Sequence, residues 1–183
     1  MRNLRINLTI TNSFLISMKV FAFGLLLLLT SSVWSYQVIE SCEEAPESGI
    51  YTLKFKQWTL DVECDMDTDG GGWLIILVRR GGYYDFYKPW EVYSEDGIGT
   101  PETEYVLPLK FIHDFLSDDR YELLEELKEG SEYGWGFYSQ FAIDSEENKF
   151  AMTKGSFDPA STNGGDAMKP SGTKFTTYDS DND

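Results

Sequence analysis

One histidine and two cysteines are all that this 183-residue chain offers of those residue types. It contains no G-x-S-x-G stretch, no zinc-type ligand spacing and no thiol beyond the cysteine pair, so nucleophilic and zinc chemistry find no support. His113 lies in the apolar pattern "LPLKFIHDFL" and reads as a packed or surface residue, not a general base. Carboxylates are plentiful, but no feature selects two of them as a glycosidase pair. A secreted hydrolase is therefore the weakest of the function classes, and no catalytic residue is named. Basic residues are scarce too: 15 Lys and Arg stand against 31 Asp and Glu, a net charge of −16. Such a surface repels phosphate backbones and anionic lipid, which excludes nucleic acid and leaves cationic partners and divalent metal open. Acidic chains are often disordered, but 42% hydrophobic and 15% aromatic residues supply enough apolar surface for a packed domain. There is no internal repeat.

Long apolar runs are confined to the beginning. Arg2, Arg5 and Lys19 precede "VFAFGLLLLL", and "TSS" leads to Val33 and Ser35 at the −3 and −1 positions of a cleavage site. This predicts a secretory signal peptide over residues 1–35, with no membrane insertion after cleavage. The run falls short of the roughly 20 residues that span a bilayer. Met18 opens a compact signal of its own, which leaves an alternative start there and residues 1–17 as an upstream extension. Cleavage would remove three basic residues and no acidic ones, leaving 12 against 31 and a net −19. The mature chain would begin at Tyr36, with residues 36–40 as a short linker. Its length suits one domain.

Cys42 and Cys64 both fall in the mature part, and in an oxidising compartment they most simply pair with each other. Between them Tyr51, Leu53 and Phe55 alternate, Lys56 and Gln57 can turn, and Trp58, Leu60, Val62 and Cys64 alternate again, the pattern of a hairpin. "CDMDTDGGGW" then places Asp65, Asp67 and Asp69 as an EF-hand loop would. The twelfth position of that loop would be Ile76, where a bidentate acid is required, and the flanks read as strands, so the stretch reads as a tight Gly-rich strand connection. Further on, "LPLKFIHDFL" predicts a short helix with Pro108 in its first turn and Leu109, Ile112 and Phe115 or Leu116 on one face. "YELLEELKEG" looks helical by composition. "YGWGFYSQFAI" and "KFAMT" predict two strands joined by a polar turn at 145–148. From Lys154 onward, turn residues dominate. Trp58, Trp73, Trp90 and Trp135 are assigned to the core rather than to glycan stacking.

The blocks "SCEEAPESGIYTL", "VECDMDTDGGGW", "DFYKPWEVYSEDGIG", "FIHDF", "YELLEEL", "YSQFAI", "KFAMTKGSF" and "KFTTYDSDND", in this order, resemble the fibrinogen-related domain of fibrinogen chains, ficolins, tenascins and angiopoietins. The resemblance covers residues 41–183, and "CDMDTDGGGW" is its most specific part. It implies an α+β fold, with a small disulfide-stapled N-terminal hairpin subdomain and a central, mostly antiparallel sheet carrying short helices. It also revises the helical reading of "YELLEEL" to a strand with Tyr121, Leu123, Glu125 and Leu127 on one face.

Members of that family bind calcium at a "DxDND" segment, which resembles residues 179–183 here. Asp181 and Asp183 match the two carboxylate ligands, an incomplete Ca²⁺ site because the carbonyl ligands lie beyond Asp183. By the same comparison the domain is incomplete, with the C-terminal ligand-binding subdomain largely missing, and the few residues from Tyr36 to Ser41 leave no room for a collagen or coiled-coil stalk. The resemblance implies a secreted recognition protein, first of the lectin kind that binds acetylated glycans or microbial surfaces in innate defence. The alternative is a matrix or receptor-ligand protein of the tenascin or angiopoietin kind. Its partner would be an extracellular glycan or protein; oligomeric state is open.

Overall fold

Alternating apolar residues build the first hairpin. The computed structural model describes residues 2–10, 35–162, 166 and 168–182. Strands β1 (Arg2–Ile10), β2 (Val38–Ile39), β3 (Gly49–Phe55) and β4 (Trp58–Asp65) open the chain. β3 and β4 pair antiparallel down to Phe55 opposite Trp58, and Lys56 turns the chain with a φ of 51°. Tyr51, Leu53, Val62 and Cys64 are buried. Cys42 and Cys64 form the disulfide, their Cα atoms 5.5 Å apart, and it fastens the hairpin to the chain's entry into the domain.

The acidic turn serves its own backbone. It joins β4 to β5 (Trp73–Arg79). Asp65 Oδ1 accepts from the Asp67 and Thr68 N–H groups at 2.8 and 3.1 Å, and Asp67 accepts from the Ser48 hydroxyl at 2.6 Å. Gly71 has a φ of 78°, and a Cβ there would lie 2.8 Å from the Met66 carbonyl oxygen, so no other residue fits. This is a strand connection and not an EF-hand.

The remaining elements are β6 (Ile98–Gly99), β7 (Tyr105–Val106), α1 (Leu109–Leu116), β8 (Tyr121–Glu129), β9 (Glu132–Ile143) and β10 (Met152–Lys154). One sheet runs β10, β9, β8, β1, β5, β4, β3, β2, with β7 also on β5 and β6 on β7. Its pairings are antiparallel except β1 with β5 and β8, and β2 with β3. The α+β, mostly antiparallel expectation holds.

"YELLEEL" is a strand, against its composition. β1 and β9 supply ladders on both of its edges, and tertiary pairing overrides a weak propensity. The acid most deeply buried on it is Glu126 and not Glu125, and Arg5 neutralises it. Helix α1 has Pro108 at its N-cap, just outside the first turn, because the fixed ring geometry suits a helix entry. Phe111, absent from the expected apolar face, is fully buried and packs edge-on against Phe55 and Trp58. His113 Nδ1 lies 3.0 Å from the Ile143 carbonyl oxygen and ties α1 to β9. Of the four tryptophans assigned to the core, Trp73 is buried while Trp58, Trp90 and Trp135 are half-buried. The Trp58 and Trp90 N–H groups reach Asp114 and Glu146 at 2.7 and 2.8 Å, and such polar tips keep an indole near the surface.

The segment read as a leader enters the described structure through β1 and Ser35. Its apolar run and Val33 lie outside the described residues. Among the described residues no helix is long and apolar enough to cross a membrane.

Candidate functional site

Glu104 anchors the start of the long loop after β5. That carboxylate is 0% exposed; Oε2 accepts from the Arg80, Gly81 and Gly82 N–H groups at 3.2, 3.2 and 3.0 Å, and Oε1 from Tyr84 at 2.6 Å. Burial pushes the group up, but the four backbone donors outweigh it and hold it below the ordinary carboxylate value. The loop then leaves aromatic surface in water. Tyr87 is 72% exposed and Tyr178 55%, and their rings stack with centroids 4.5 Å apart and planes at 23°. Tyr83 and Tyr84 are exposed beside them in sequence.

Two acids fix the platform under these rings. Asp179 Oδ1 accepts from the Thr177 hydroxyl at 2.8 Å and from the Trp90 backbone N–H at 2.9 Å, which clamps the C-terminal loop to the β5–β6 loop. Glu146 pairs with Lys110 at 2.9 Å and accepts from the Trp90 indole and Ser94 hydroxyl, both at 2.8 Å. Lys110 first, then Trp90 and Ser94, hold the Glu146 carboxyl down at about 2. The Trp90 ring also stacks on Phe150 at 5.5 Å beneath the Lys149 ammonium at 5.3 Å. Behind this layer is a cavity of about 500 Å³ lined by Phe86, Tyr93, Ile112, Phe141 and Phe175. A rigid aromatic face over an apolar cavity suits binding; the one histidine is occupied by a carbonyl.

The expected calcium ligands are only partly in view. Asp181 is exposed, and its neighbour Asn182 donates its side-chain amide to the Phe175 and Ser180 carbonyls at 2.9 and 3.1 Å. Asp183 lies outside the described residues. Among the described residues no three His, Cys, Asp or Glu side chains converge to hold a metal, and Asp179 is committed to Thr177 and Trp90. Calcium takes six to eight oxygens, and of the two expected carboxylate ligands only Asp181 falls within the described residues.

Arg5, Glu104, Glu126 and Glu146 escaped the sequence reading. Arg5 was absorbed into the basic start of a leader. The three acids differ in nothing, as letters, from their solvated neighbours.

The family model of the fibrinogen beta and gamma chains, C-terminal globular domain, matches residues 38–183. The chain belongs to this family. Human tenascin-N is 37% identical over an alignment of 142 residues that covers 74% of this chain and 11% of tenascin-N. Tenascin-R of Gallus gallus is 34% identical over an alignment of 139 residues that covers 74% of this chain and 10% of that protein. The chain thus spans about a tenth of the length of these tenascins. Among solved structures, the fibrinogen-like globe domain of human angiopoietin-like protein 6 superposes with a TM-score of 0.69 at 28% identity, over 75% of this chain and 61% of that one. The corresponding domain of human angiopoietin-like protein 2 gives 0.68 at 27% identity, over 78% and 68%. The fibrinogen-related fold and the Cys42–Cys64 bridge agree with what the resemblance implied.

Proposed function

We propose that the chain is a secreted recognition module that binds an extracellular protein, in the matrix or as a receptor ligand, and has no catalytic role. Tenascin and angiopoietin-like relatives support this reading above the lectin-like one that came first from the sequence. The observation that carries it is the exposed Tyr87–Tyr178 stack on a backbone pinned by Glu104 and Asp179. Rigid tyrosines give large amphipathic contact area at little entropic cost, which is why they concentrate at interfaces. The acidic balance of the chain favours a partner with a basic rim. Tyrosine rings also stack on sugars, so lectin-like binding of acetylated glycans is the second reading. In this reading a leader is cleaved before Tyr36 to give an extracellular protein, and calcium contributes only weakly.

Fluorescently labelled protein applied to cells and to cell-free matrix tests this. Binding should be saturable, lost after trypsin treatment of the surface, and weakened about 10-fold or more by Tyr87→Ala or Tyr178→Ala. Binding that survives trypsin and is competed by N-acetylated sugars assigns the lectin reading instead. Binding indifferent to both substitutions removes the tyrosine face from the account.

A further inference from the structure

A second aromatic face lies on the sheet itself. Strand β9 carries Tyr133, Trp135 and Phe137 at alternate positions, which places their rings on one face of it. Leu124 and Glu126 of β8 stand opposite Phe137 and Trp135 and share that face. Together with Trp73, Asp69 and Asp158 they line a cavity of about 400 Å³, within the size of small-ligand pockets. None of the three β9 rings touches another ring among the described residues, so their faces are not spent on one another. The acids differ in what they hold. Glu126 is taken up by Arg5 and the Tyr133 hydroxyl. Asp69 is exposed, and half-buried Asp158 accepts from the Ala160 N–H at 2.8 Å. Neither forms an ion pair among the described residues, and no described Lys or Arg lines the cavity; Lys128, opposite Tyr133, is exposed and stands outside it. The backbone holds Asp158 beside the rings: its N–H donates to the Phe137 carbonyl at 2.9 Å, and the Thr162 N–H to the Trp135 carbonyl at 2.8 Å. An aromatic face attracts a cation, and a half-buried carboxylate beside it adds to the attraction.

We propose that this cavity on the β8–β9 face is a subsite for one arginine side chain of a protein partner, its guanidinium stacked on Trp135 and paired with Asp158. Arginine fits better than lysine, because its planar, weakly hydrated head lies flat on an indole while its edge donates to a carboxylate. Trp135 is the central ring of the three, and tryptophan is the strongest cation-binding ring. Asp69 draws the cation in from the exposed side. The inference rests on the reading of the chain as a protein-binding module and supplies a chemistry for part of the partner's surface. None of its lining residues belongs to the Tyr87–Tyr178 face, so either site can fail without the other.

The test titrates the full chain, nitrogen-labelled at its indoles, with N-acetyl-arginine amide and follows the tryptophan N–H signals by NMR. Saturable shifts should centre on Trp135 and Trp73. The uncharged isostere N-acetyl-citrulline amide should bind about tenfold or more weakly, and this comparison leaves the protein's folding untouched. Asp158→Asn should weaken the arginine probe about fivefold or more and leave the citrulline probe unchanged. Tyr87→Ala should alter neither. Equal binding of arginine and citrulline probes, or shifts spread over the chain without favouring Trp135 and Trp73, overturns the proposal. N-acetyl-lysine amide binding as tightly as the arginine probe overturns the assignment to arginine. The cell-binding assay is read separately: a chain that binds cells saturably but not the arginine probe keeps the proposed function and loses this site.

Discussion

The Trp90 indole N–H donates to the Glu146 carboxylate at 2.8 Å, and that bond ties the β5–β6 loop to the turn after β9. Glu146 in turn draws Lys110 from α1. Three segments distant in sequence are thus held by one charged oxygen pair, and the tyrosine face depends on their relative placement.

Acid should loosen that junction. Glu146 is lowered from 4.5 to about 2 in the folded chain, so it binds fewer protons folded than unfolded over that window. Its contribution is full above the unfolded value and is lost as pH falls from about 4.5 towards about 2. Urea midpoints followed by tryptophan fluorescence should fall across this range. Glu146→Gln should flatten part of the slope; an identical slope in the variant would show that Lys110 and Trp90 do not hold the charge.

Removing Glu104 strands four backbone N–H groups under the loop. Glu104→Ala should cost about 2–4 kcal/mol in urea unfolding, because hydrogen bonds to a buried charge are among the stronger ones and orphaned donors add their own penalty. Hydrogen exchange at Arg80, Gly81, Gly82 and Tyr84 should speed up selectively. A cost below about 0.5 kcal/mol, the level of an ordinary surface change, would contradict the nest.

Part of this was legible in the sequence for plain reasons. β3 and β4 alternate with period two, and α1 carries apolar residues at helical spacing, so local pattern and fold agree. β8 was hidden from composition, because Leu, Glu and Lys suit a helix and the ladders that decide otherwise come from β1 and β9; the family resemblance is what made it a strand. Arg5 and Glu126 are 121 positions apart, a pairing no local pattern carries. Glu104 is recognised by backbone N–H groups, which have no letter of their own. Cys42 and Cys64 were readable because there was no third thiol to choose.

The disulfide is buried at both ends, Cys42 and Cys64, and should contribute measurably to stability. Opening the Cys42–Cys64 loop releases chain entropy in the unfolded state worth about 3 kcal/mol in the loop-closure model. The Cys42→Ala, Cys64→Ala double variant should lose about that much in urea unfolding. A non-reducing peptide map of the native protein should show the two residues in one linked pair, and free thiols there would refute it.

Secreted material should begin at Tyr36. Val33 and Ser35 stand at the −3 and −1 positions of the expected site, and N-terminal sequencing with intact mass reads the result. Retention of the apolar run on secreted protein would reject the leader.

Calcium affinity should be weak in the chain of 183 residues. Asp181 is exposed, Asp179 is committed to Thr177 and Trp90, and no third acidic group converges with them among the described residues. Most of the coordination shell would be water. Calorimetry should give a dissociation constant of about 1 mM or weaker, the range of loosely caged sites. Asp181→Ala should lower even that binding. Micromolar affinity abolished by Asp181→Ala would mean that the tail closes into a cage around the ion, and the argument from missing ligands would fall.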